Sequence, residues 1–355
     1  CGITNNGEIQ KDDSVILNYE NGNMTFSNIT RKGTKCYLYF DEQKTLLNDA
    51  ILAEKDIQER TDFSTALSTD TNGIIYQETT SDGRTYYFAG DTDENWVSFA
   101  NHYWRIIRIN EDGSIRIIYS GDSTSGPVTT GENTQYTTSA FNSIRNASYY
   151  VGLKYSNSQH GNDTNSTILG VLNTWYEDNI QGKYEQYISI ETGFCGDREM
   201  ASGDSWSAIP SSTIYYAGHE RLAQSSGSIN PSFECTNSSD LYTVAESSKG
   251  NQALDYPVGL ITADELVYAG MSWNSFATSN YLYTNQDYWT MSPWSYNGNG
   301  WAIVFNVALN GGFGGNLGGN MVSTALGVRP VINLDANVTI SSGDGTSSNP
   351  YTIAT

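Results

Sequence analysis

Residues 301–309 set the firmest limit on what this chain can fold into. Trp301, Ile303, Phe305, Val307 and Leu309 alternate with Ala302, Val304, Asn306 and Ala308, so both faces of an extended segment are mostly apolar. Successive side chains of a strand point to opposite faces, and a strand apolar on both suits the middle of a sheet. Gly311, Gly312, Gly314, Gly315, Gly318 and Gly319 crowd the next stretch and read as turns. Val328, Val331, Ile332 and Leu334 then resume a strand, before a Gly/Ser-rich tail over 341–355. Residues 99–109 and 115–119 read as an antiparallel pair joined by the turn Asn110-Glu111-Asp112-Gly113. Arg105, Arg108 and Arg116 are expected on a solvated or salt-bridged face of that hairpin.

Helical signals lie between these β-rich ends. Leu46, Leu47, Ala50, Ile51 and Ile57 form an apolar stripe, with Asp41 as a plausible N-cap, and predict a connecting helix over 41–60. Ile168, Leu172 and Trp175 share one helical face, with Ser166 or Thr167 as the cap. Thr262 and Glu265 have capping-box spacing ahead of Leu266 and Val267, and Gly270 ends that helix. The expected class is α+β. The expected organisation is a small β-module over 1–40, the connecting helix, a larger domain over 61–340, and the tail.

The chain holds four cysteines, Cys1, Cys36, Cys195 and Cys235, which allow three connectivities. Their grouping favours Cys1–Cys36 and Cys195–Cys235, and hence an oxidising, extracellular compartment. No apolar run reaches eighteen residues, so no transmembrane helix is expected; any signal or anchor would precede Cys1. Lipidation of Cys1 would compete with its bridge. A formal charge of -21 argues against nucleic acid or an anionic lipid surface as partner, because the mean field repels both.

Catalytic and metal signals are sparse. His102, His160 and His219 lie far apart without metal-ligand spacing, and no serine stands in a nucleophile elbow. A structural hydrogen bond is the expected role of His219, and helix capping accounts for Asp264 and Glu265. Calcium is the one metal considered, at the oxygen-rich loop of Asp91, Asp93 and Glu94 or near Asp344, although neither forms a full calcium loop. The candidate ligand-binding surface is 289–320. There Trp294, Tyr296, Trp301 and Phe313 stand among Asn297, Asn299, Asn310, Asn316 and Asn320, and pair aromatic faces with amide hydrogen bonding. Trp289 reads as core, and Trp301 is open to the same reading. Trp294 and Tyr296, beside the Gly298 turn, are expected to be exposed.

Several motifs, in order from residue 36 onward, carry a resemblance. They include Tyr103-Trp104-Arg105-Ile106-Ile107-Arg108, Phe194-Cys195-Gly196-Asp197-Arg198, Tyr288-Trp289-Thr290-Met291-Ser292-Pro293 and Gly327-Val328-Arg329-Pro330-Val331-Ile332. In these the chain resembles a large set of surface proteins of gut Firmicutes and mollicute-like bacteria that have no established activity. The C-terminal pattern also resembles the C-type-lectin-like fold of formylglycine-generating enzymes and phage tropism-determinant proteins. That fold would place Arg329 beneath the binding loops as a structural residue. The sugar-site tripeptides of calcium-dependent lectins are absent, and no cysteine follows Cys235, so neither activity carries over. The resulting expectation is a non-catalytic extracellular protein that binds a glycan or protein ligand through C-terminal loops. The alternatives are a self-associating structural subunit of a surface or pilus-like filament and, third, a glycan-directed enzyme.

Overall fold

The computed structural model describes residues 1–5, 8–20, 23–36, 44–223, 228–247, 249–309 and 316–355. The chain divides into two compact units, Cys1–Lys44 and Thr45–Thr355.

In the first unit Gly2–Asn5 pairs antiparallel with Glu8–Lys11, and Ile16–Glu20 with Asn23–Ser27. Gly2 and Lys35 exchange backbone hydrogen bonds beside the Cys1–Cys36 disulfide. Of the residues of this unit whose burial is described, Gly2 alone is buried, while Ile16, Leu17 and Ile29 are exposed. Two short hairpins are marginal without a staple, and the disulfide supplies one. Residues 37–41, expected to hold a strand and a helix cap, lie outside the described residues.

The second unit is dominated by strands, which corrects the expected α+β class: across both units 34 % of residues are in strands against 13 % in helices. Three of its four described α-helices are only six residues long. A ten-stranded sheet is centred on the predicted hairpin, His102–Ile109 with Ile115–Asp122, in the register Ile106↔Ile117. The turn between them needs Gly113, whose φ is +83°. Arg105, Arg108 and Arg116 are buried rather than solvated, and Arg108 and Arg116 meet the salt-bridged alternative. Arg105 lies 4.2 Å over the Trp96 ring and donates to Asn95 Oδ1 at 2.6 Å; burial pushes its pKa down to about 9.

A six-stranded sheet holds Thr137–Ala140, Ala325–Val328, Tyr288–Asn297, Trp301–Val307 and Leu317–Met321 in that order, with Ile214–Tyr215 beside Tyr288–Asn297. Trp301–Val307 has partners on both edges, as its two apolar faces demand. The chain passes from this sheet into Val331–Leu334 of the larger one at Arg329-Pro330. Arg329 is buried there, donates from Nε to the Tyr119 carbonyl at 2.9 Å and stacks 4.8 Å from the Tyr288 ring, so it ties the two sheets together.

Two further expectations are corrected. The connecting helix is only Leu47–Leu52, inside the second unit, and the following Asp56–Glu59 is a strand parallel to Ile74–Thr80. The expected tail is structural: Tyr351–Ile353 pairs with Thr339–Ser342 and runs parallel to Trp96–Phe99.

Candidate functional site

The structure does not gather the predicted residues of 289–320 onto one surface. Trp294 is 8 % exposed and Tyr296 only 2 %, against the expectation for both. The reason is cover: helix Ala217–Leu222 and the short turn Ser148–Val151 pack on strand Tyr288–Asn297. Trp294 stacks between His219 and Phe305, at 5.7 and 5.3 Å, with Trp273 edge-on at 4.8 Å. His219 therefore packs between Tyr215 and Trp294. The Tyr296 hydroxyl donates to the Asn146 carbonyl. Asn316 is buried and accepts from the Ala277 N–H at 2.7 Å; Asn320 accepts from the Thr324 hydroxyl. Asn297 closes its own turn, accepting from the N–H groups of Asn299 and Trp301. Asn299 is exposed, and so is Trp301, at 40 %, with the Arg145 guanidinium 5.6 Å over its ring. Asn310 and Phe313 lie outside the described residues.

The calcium loop is spent internally. Asp93 accepts from the Trp96 indole and from Ser347, Glu94 pairs with Lys55 and accepts from the Gly73 N–H, and Asp344 accepts from Thr346. No group of three His, Cys, Asp or Glu among the described residues could hold a metal.

A different place has the geometry of a site. The turn after His102–Ile109 brings Glu111 and Asp112 to the rim of a cleft of about 310 Å³, and Arg108 of that strand lines it. Thr192, Phe233, Glu234 and Lys249 complete the working surface, beside the Cys195–Cys235 disulfide. Its floor is fixed by charge. Glu265 Oε1 lies 2.6 Å from Arg116 Nε and 3.3 Å from Arg108 Nε, while Oε2 accepts from the Thr262 N–H. The capping box thus forms as expected and leaves one carboxylate oxygen to hold two arginines. Burial lowers the Arg116 pKa to about 10 even though Glu265 pulls the other way. Phe233 lies flat on Tyr268, with centroids 3.8 Å apart, and carries Arg108 at 4.5 Å on its ring.

Behind the cleft, and sharing Arg108, Phe233 and Cys235 with it, is an inner chamber of about 50 Å³. Arg221 bridges two carboxylates there, Asp197 at 2.7 Å and Asp264 at 2.9 Å. Asp264 also accepts from the Ser232 N–H. Asp197 has φ +34°, a left-handed conformation that strains a residue with a side chain. Burial raises its carboxyl pKa, with Arg221 opposing and Asp264 adding to the rise.

Nothing in the sequence marks Arg108, Asp197, Phe233 and Lys249 for binding. Phe194-Cys195-Gly196-Asp197-Arg198 stands out in the sequence as a motif, and the expected Cys195–Cys235 bridge forms beside the cleft. No protein-family model, curated protein or solved structure matches the chain, so the likeness to bacterial surface proteins and to the C-type-lectin-like fold rests on the sequence motifs alone.

Proposed function

We propose that this chain is an extracellular, non-catalytic binding protein that takes a small polyhydroxylated ligand, a saccharide unit, in the cleft above Arg108 and Phe233. The carrying observation is that cleft: it has the volume of a small-ligand pocket, with donors (Arg108, Lys249), acceptors (Glu111, Glu234) and an aromatic ring side by side. Its floor of ion pairs and disulfide is already ordered, so little freedom is lost on binding. The buried carboxylates support binding over catalysis, because Asp264 and Glu265 are occupied by arginines and backbone donors. The two disulfides support the extracellular setting.

The exposed Trp301 under Arg145 favours a second reading, adhesion through the 297–301 hairpin. One experiment separates the two. Saccharide binding is measured for the wild type, for Lys249→Ala with Glu234→Ala, and for Trp301→Ala, all three sites being exposed enough to change without unfolding. A loss of about tenfold, confined to the Lys249/Glu234 variant, is expected from two lost hydrogen bonds of about 1 kcal/mol each or less. A loss confined to Trp301→Ala would move the site to the hairpin.

A further inference from the structure

We propose that the ligand enters the cleft by a primary ammonium group, seated in the inner chamber against Asp197, so that its class is an amine-bearing sugar. The inference rests on the cleft being the binding site.

Four observations carry it. Asp197 engages Arg221 through Oδ2, and among the described residues its other oxygen has no donor, although the side chain is 15 % exposed and lines the chamber. Every other carboxylate deep in the chamber is committed: Asp264 to Arg221 and Ser232, Glu265 to Arg108, Arg116 and Thr262. The chamber's volume, about 50 Å³, suits one ammonium-sized group and is far below that of a sugar ring, which the outer cleft of about 310 Å³ can hold. Finally, the linings of cleft and chamber together hold eight carboxylates against four cations. The local field therefore favours a positive group and disfavours an acidic sugar. A hydroxyl could also donate to Asp197, but only a cation gains from that imbalance.

The charged groups around Asp197 set the pH response. Arg221 faces it from helix Ala217–Leu222, Asp264 from helix Ala263–Tyr268 and Asp240 from the turn Ser238–Asp240. Arg108 and Arg116, across the chamber, are held by Glu265, and Glu234 stands at the mouth. In the empty site burial holds the Asp197 carboxyl above its ordinary range. An ammonium ion favours the charged form and lowers that pKa again, so binding releases a proton. Affinity is full above the free-site pKa and falls as pH drops through it towards the ordinary carboxylate range near about 4.

The test is calorimetric titration of the intact protein with glucosamine, galactosamine and mannosamine and with their N-acetylated forms. The free amines should bind at least about tenfold more tightly, with proton release visible as a dependence of the heat on buffer. Asp197→Asn is the matching variant, because asparagine tolerates positive φ and leaves the Arg221–Asp264 pair in place. It should reduce the amines to the affinity of their acetylated forms, leave the acetylated forms unchanged and abolish the pH dependence. Equal binding of amine and acetylated sugars by the wild type overturns the ammonium proposal and leaves the cleft standing. Binding of none of them overturns both.

Discussion

At the scale of single residues, the tryptophans show how far side-chain placement depends on what covers a strand. The sequence places Trp294, beside the Gly298 turn, in solvent and leaves Trp301 open to a place in the core. The reverse holds because Trp294 has a hole to fill. Gly318 and Gly319 are not turn residues but part of strand Leu317–Met321, and a Cβ on Gly319 would fall 1.3 Å from Trp294 Cε3. Held between His219 and Phe305, the indole cannot swing aside. Gly319→Ala is therefore expected to lower stability by at least about 1–3 kcal/mol, the cost of overpacking. Trp294→Ala should cost about 3–5 kcal/mol through the cavity it leaves. In urea titrations the double variant should cost clearly less than the sum, since the alanine methyl then grows into the vacated space. Strict additivity would mean that Gly319 and Trp294 do not meet.

Among the elements, those that write their own boundaries were legible. The 102–122 hairpin shows its turn, helix Thr167–Asn179 its apolar face with Ser166 as cap, and helix Ala263–Tyr268 its capping box. The fold class was not, because many strands are two to four residues long and too short to show a period, so the few helical stretches weighed too heavily. The cleft was hidden for a related reason. Its lining comes from segments near 80, 110, 192, 234 and 249, and nothing local marks residues that converge only after the sheet has formed. Helix Ala263–Tyr268 stands at the border of the two cases. Its six residues cannot persist alone, and the cap legible in sequence accounts for only one Glu265 oxygen. Glu265→Gln keeps a capping acceptor but leaves the Arg108–Arg116 pair without its shared carboxylate. Breaking a buried pair costs about 3–5 kcal/mol, against about 1 kcal/mol for the cap lost in Thr262→Ala. Denaturant midpoints for the two variants should differ in that order; equal losses would reduce Glu265 to a capping residue.

For the molecule as a whole, the last thirteen residues are the sharpest divergence from the sequence. Rich in glycine and serine, 343–355 has the composition of an appendage, and its two apolar strand residues are too few to signal otherwise. Yet Tyr351 and Ile353 are each 4 % exposed, and the strand that carries them lies between Thr339–Ser342 and Trp96–Phe99. The bend before it is shaped to the core: the Gly345 carbonyl accepts from the Trp96 N–H at 2.8 Å, and the Tyr351 ring occupies the space a Cβ on Gly345 would need. The Tyr351 hydroxyl then donates to the Ala50 carbonyl, which ties the end of the unit to its first helix. Removing 343–355 exposes the edge of Trp96–Phe99 and takes Tyr351–Ile353 from beside Thr339–Ser342, which also pairs with Thr45–Leu46. Two buried side chains at about 1.5–3 kcal/mol each are already a large share of the roughly 5–15 kcal/mol that holds an ordinary domain together. A chain ending at residue 342 should accordingly melt well below the chain that runs to residue 355, by on the order of 10 °C or more, or fail to fold. The comparison is a pair of circular-dichroism melts, and an unchanged midpoint would make the C-terminal strand an ornament of the sheet instead of one of its supports.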